Sequence, residues 1–145
     1  MSGPPKTIAI NHDDYHAEHI GRTADGRQFF LTTPFEPATD HNEGCEYIAL
    51  FFFDMKGKFL DARIESFGSR SQMDYKHCMS VRDQWLAELG PVEYCRIEVE
   101  PFQIERFNTA FGLIPRGPED GWTVELHPGN YMAFFEPWDS GEYDS

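Results

Sequence analysis

At 145 residues, 40% hydrophobic and 15% aromatic, the chain has the length and apolar content for one core, and burying roughly 70% of the unfolded surface at this size excludes global disorder. Twenty-five acidic residues against twelve basic give a formal net charge of −13, which repels a phosphate backbone. Nucleic-acid binding is therefore not expected, and a basic protein is the kind of partner such a surface attracts.

The opening MSGPPKTIAI lacks the pattern of a secretory signal, and the longest clearly apolar run, YIALFFF at 47–53, is far short of the about 20 residues that cross a bilayer. A soluble, cytoplasmic protein without membrane contact is the expectation. Cys45, Cys78 and Cys95 are odd in number and widely spaced, which suits free buried thiols better than a disulfide or a zinc site.

The first chemically dense stretch is NHDDYHAEHIG at 11–21, which holds three of the six histidines. On a helix, His12, His16 and His19 would share one face and offer three nitrogens to zinc, with a water in the fourth place. On a strand, His12, Asp14 and His16 point one way and His19 the other. Gly21 and the Asp25–Gly26 pair downstream favour the strand, so His12, Asp14 and His16 are the candidate metal ligands, joined by His19 only if the segment is helical.

Known metal signatures do not fit this stretch. HAEH matches neither H-E-x-x-H nor H-x-x-E-H, and no P-C-x-x-C follows to complete a deaminase signature. No cofactor is expected beyond the alternative of a divalent ion such as zinc. Serine-nucleophile, phosphate-loop and dinucleotide motifs are also absent, so no catalytic residue is assigned.

Asp25 and Gly26 mark a hairpin turn between strands expected near 16–24 and 27–33, after which PFEPATDHNEG reads as an exposed connection. A second hairpin turns at Lys56 and Gly57. Its first arm alternates Tyr47, Ala49, Phe51 and Phe53 with Ile48, Leu50 and Phe52, apolar on both sides, as in a strand covered on both faces. The returning arm places Leu60, Ala62 and Ile64 inward against Asp61, Arg63 and Glu65 outward.

From Ser71 the period lengthens to about 3.6, and Tyr75, Cys78, Met79, Trp85, Leu86 and Leu89 form one stripe interrupted by Arg82. A helix over about 71–89 is expected, opened by Ser71 with Asp74 and stopped by Gly90–Pro91. Cys95, Ile97 and Val99 then alternate as a strand, Phe102, Ile104 and Phe107 extend it beyond Pro101, and GLIPRGPEDG at 112–121 reads as a loop. A last hairpin runs from Trp122, Val124 and Leu126 through HPGN into YMAFFEP.

These elements predict an α+β fold: a bent, mainly antiparallel sheet of six to nine strands built from hairpins, with one principal helix packed on it. One domain spans 1–145, with an acidic C-terminal tail at about 137–145 whose tip is free to move. In that region Trp138 and Tyr143 are aromatic types enriched in binding hot spots, and Glu136, Asp139, Glu142 and Asp144 surround them with negative charge.

The stretch GRTADGRQFFLTTPF has the look of small bacterial proteins, but no family follows from it and no residue role is carried over. The leading functional expectation is a non-enzymatic acidic binding protein, of the immunity-inhibitor type, covering a basic partner that acts on nucleic acid. The alternatives are a small metal-dependent enzyme using the N-terminal His/Asp cluster, and a homodimeric module assembled through a strand edge or aromatic patch.

Overall fold

The computed structural model describes residues 3–145. Among these residues the structure is mostly β, with one helix. In order run β1 (Ile8–Ile10), β2 (His19–Thr23), β3 (Gln28–Thr32), β4 (Phe35–Glu36), β5 (Cys45–Phe53), β6 (Phe59–Ser66), α1 (Tyr75–Glu88), β7 (Val92–Tyr94), β8 (Ile97–Val99), β9 (Phe102–Arg106), β10 (Thr109–Arg116), β11 (Thr123–His127) and β12 (Ala133–Phe134). Among the described residues twelve strands exceed the six to nine expected, and they form three antiparallel sheets instead of one.

The central sheet is ordered β4-β5-β3-β2-β7, with β6 on the other edge of β5. Strand β5 sits between two cores, as its double-sided apolar pattern predicts. Tyr47, Ala49, Phe51 and Phe53 join the larger core with Phe30 and with Phe111, Leu113, Val124, Leu126 and Phe134 of the β12-β11-β10-β9 sheet. Ile48 and Leu50 join Phe29 and Leu31 under Cys78, Val81 and Trp85 of the helix. Two sheets and a helix thus stack in three layers, each face of β5 being dry.

Several expectations are corrected. The segment after β3 is not wholly a loop, because β4 continues along the same edge of β5 in unbroken register, Thr32 opposite Ala49 and Phe35 opposite Glu46. Pro34 interrupts only the hydrogen bonding, since it has no N–H to give while its carbonyl still accepts from Tyr47 at 2.9 Å. The expected loop at 112–121 begins only after Arg116. Pro115 fits inside β10 because β9 ends opposite Leu113, leaving that edge free where a residue without N–H is tolerated.

Leu60 does not point inward. A register shift opposite Phe52 and Phe53 makes it the extra residue of a bulge, and it is 50% exposed while Ala62 and Ile64 stay against the core. Beyond the bulge, β6 is an open edge. Tyr47 turns its N–H toward β4's side of β5, so Ala62, opposite Phe51, turns its own away from β5. That outward N–H is taken by the Asp61 carboxylate at 2.8 Å.

The helix starts later than Ser71. Asp74 is its N-cap, accepting from His77 N at 3.1 Å, and Gly90 at φ +74 closes the other end as expected. Tyr75 leaves the stripe and is 64% exposed, its place being taken by Val81. The strand expected from Cys95 and extended through Phe107 is two, β8 pairing with β1 and β9 with β10, with Phe107 in the turn beyond and 55% exposed, while β7, which joins the central sheet at β2, was not expected.

The C-terminal tail is docked. Its backbone forms a third line beside β1, Ala9 N donating to Trp138 O and Asn11 N to Gly141 O, both at 2.9 Å. Asp144 exchanges two further backbone bonds with Ala133 of β12. No helix is long and apolar enough to cross a membrane among the described residues.

Candidate functional site

The segment 12–18 is neither helix nor strand. Asp13 folds it into a turn by accepting the N–H groups of Tyr15 at 2.9 Å and Ala17 at 3.0 Å on one carboxylate oxygen. This local closure competes with both regular conformations, and both readings of the histidine spacing are corrected by it. His12 turns back to the Glu18 carbonyl at 3.0 Å. His16 lies tilted against Tyr15, 3.8 Å between centroids, and packs edge-on against Tyr131 at 4.9 Å.

His19 opens β2 and lies near Tyr94, 6.2 Å between ring centres. Glu18 Oε1 is 3.3 Å from its Nε2 without hydrogen-bond geometry, and both buried ring nitrogens lack a partner among the described residues. Burial pushes the His19 pKa down, Glu18 and Asp83 working against the shift and Arg82 and His12 with it. Burial likewise lowers His16, opposed by Asp13. His12, Asp14 and His16 are not gathered into a coordination sphere, and no group of three or more His, Cys, Asp or Glu is arranged to hold a metal among the described residues.

What this turn does hold is the C-terminus. Tyr143 donates its hydroxyl to the second oxygen of Asp13 at 2.5 Å and accepts from His16 N at 3.3 Å. Asn11 Nδ2 donates to Ser140 O at 3.1 Å, and Gly141 lies so close that an added Cβ would stand 2.2 Å from Asn11 Oδ1. Arg96 completes the seam, donating to Asn11 Oδ1 at 3.0 Å and to Asp139 O at 2.6 Å.

Burial raises the Asp13 pKa, but the Tyr143 hydroxyl, the two backbone N–H groups and His16 together outweigh it and hold the carboxyl below its ordinary range. The Tyr143 phenol is pushed up to about 12 by burial and by that same carboxylate. Both groups are thereby kept in the states that bond to each other at neutral pH.

Two shallow grooves flank the Glu142–Tyr143 ridge. One, of about 330 Å³, lies toward Asn11, Asp13 and Tyr15, and the other, of about 390 Å³, toward Phe135, Glu136 and Asp144. Neither is lined by lysine or arginine. Asp14, Glu18, Glu136, Asp139, Glu142 and Asp144 are exposed on the two segments, with Tyr15 64% and Phe135 41% exposed beside them. Trp138 and Tyr143 are half-buried and pack on the larger core, so they support this surface from below.

No protein-family model, curated protein or solved structure matches this chain. The site is therefore read from its own chemistry. It can accept cationic groups in grooves with aromatic walls. The two segments that were separate candidates in sequence, 12–19 for a metal and 136–144 for a partner, are one surface. Asn11, Tyr15 and Phe135 belong to it and are not marked by local sequence, because long-range bonds, from Asn11 to 140 and 141 and from Tyr143 to Asp13 and His16, are what reveal the adjacency.

Away from this surface, Cys45 Sγ faces Ser66 Oγ at 3.1 Å, and His127 pairs with Glu125 at 3.1 Å. Cys78 is buried and Cys95 half-buried.

Proposed function

We propose that the chain is a non-enzymatic binding protein that covers a basic protein partner with the surface formed by the N-terminal turn and the C-terminal tail. The observation that carries this reading is the joining of two acidic segments by the Tyr143–Asp13 bond at 2.5 Å, which sets two cation-accepting grooves side by side. A net charge of −13 would draw such a partner in and accelerate encounter at low salt. Exposed Tyr15 and Phe135 offer apolar contact within the charged rim.

A partner whose own site is built to hold phosphates presents the charge this surface complements, which is the relationship of an immunity-type inhibitor to a nucleic-acid-cleaving enzyme. The test is affinity capture from the source cell's lysate at about 50 and about 500 mM salt, a range over which a charge-dominated contact weakens strongly. The expected result is one basic protein retained at low salt, and its loss with the variant carrying Glu136→Lys, Glu142→Lys and Asp144→Lys. Recovery of no basic protein at either salt, or equal recovery by the variant, overturns the reading.

A further inference from the structure

The β1–β8 sheet meets the β7 edge of the central sheet around a cleft of about 430 Å³, within the size range of small-ligand sites. Its floor is Gln28, only 4% exposed, whose amide donates to Asp54 O at 3.0 Å and Glu98 O at 2.9 Å and accepts from Glu98 N at 2.9 Å. Both amide groups of the floor are thus held in place. Met55 and Cys95 add a soft apolar wall.

The charges at the rim are of both signs and unequally engaged. Arg96 bonds to Asn11 and Asp139 and lies 3.7 Å from Glu98. Arg22 and Glu93 are direct cross-strand partners in the β2–β7 pairing, a position where opposite charges ordinarily pair. Both are exposed at the cleft mouth, no ion pair joins them, and neither side chain has a hydrogen-bond partner among the described residues, so both charges are available to a ligand.

We propose that this cleft binds a small zwitterion of amino-acid type, its carboxylate on Arg22, its ammonium between Glu93 and Glu98, and its side chain against Met55 and Cys95. A simple anion would be repelled by the two carboxylates and a simple cation by the two guanidinium groups. A ligand of both signs satisfies the free groups together. The planar guanidinium of Arg22 suits bidentate capture of a carboxylate. Burial and the neighbouring Glu93 raise the Cys95 thiol, opposed by Arg22, so it packs as a neutral wall.

This site shares only Arg96 with the seam beneath the acidic surface and is tested without a protein partner. L-Methionine is titrated into the ¹⁵N-labelled protein, with N-acetyl-L-methionine and L-methionine amide, each lacking one charge, as comparators. The expected result is saturable amide shifts at 21–23 and 93–98 with a millimolar Kd. Each comparator, and each of Arg22→Gln and Glu93→Gln in folded protein, should weaken binding at least about tenfold, a loss of about 1.4 kcal/mol. Equal binding of all three compounds, shifts confined elsewhere, or none up to about 20 mM overturns the proposal.

Discussion

Tyr143 and Asp13 lie 130 positions apart in the chain and meet in a 2.5 Å hydrogen bond that fastens the last residues to the first turn. The carboxylate also organises that turn, so one side chain serves both the local conformation and the long-range closure.

Replacing Tyr143 by Phe removes the hydroxyl and leaves the ring in place. A charge-assisted bond on a partly exposed pair predicts a loss of about 1 kcal/mol, read from urea unfolding at pH 7. Backbone amides of 140–144 should exchange faster with solvent in the variant, because their anchor at Asp13 is gone.

Asp13 also predicts an acid response. Its folded pKa lies below its unfolded value, so its stabilisation is present above the ordinary carboxylate pKa of about 3.9 and is lost as pH falls through the folded value. Unfolding followed from pH 5 to 2 should show a stability decline that is shallower in Asp13→Asn. Equal slopes would remove Asp13 from the acid response.

The two half-buried imidazoles act in a higher window. His16 and His19 have folded pKa values below the ordinary histidine value of about 6.5, so the unfolded chain takes up protons first and stability falls as pH drops below that value. His19→Gln should flatten the dependence between pH 7.5 and 5. An unchanged slope in His19→Gln would remove His19 from the response.

Two apolar residues of the β5–β6 pair, one on each strand, should behave oppositely. Leu60→Lys should shift stability by no more than about 0.5 kcal/mol, since the bulge already places the side chain in water. Phe51→Ala, opposite Ala62 and fully buried, should cost about 3 to 5 kcal/mol.

Gly21 offers a steric test of the β2–β7 pairing. A Cβ there would stand 1.9 Å from the Glu93 carbonyl oxygen, which belongs to the backbone and cannot rotate away. Gly21→Ala should displace β7, losing at least about 2 kcal/mol and the exchange protection of 92–94. A variant as stable as the parent would show that β7 can slide without penalty.

Where periodicity was long and its turns were marked, the chain could be read directly. Strand β5, the Asp25–Gly26 and Lys56–Gly57 turns and the Gly90 stop all depend on neighbours in sequence. Pro34 and Pro115 misled because a proline ends a strand only where its missing N–H is needed, and that depends on which side has a partner. The histidine stretch misled for a related reason. A single Asp13 carboxylate accepting two backbone N–H groups overrode both regular conformations, and its tie to Tyr143 is invisible from either end of the chain alone.

The Asp61 carboxylate on the outward Ala62 N–H has a consequence for crowded solution. An eight-residue edge with open amides is a template on which a second chain can add as a strand, and repeated addition builds fibrils. Here the foremost donor is already occupied and a negative charge sits at the point of approach. Leu60 kinks the strand beside it, and Arg63 reaches away to Glu88. A chain adding at this edge would have to dislodge a carboxylate at Ala62 and then follow a bend, both of which work against strand addition.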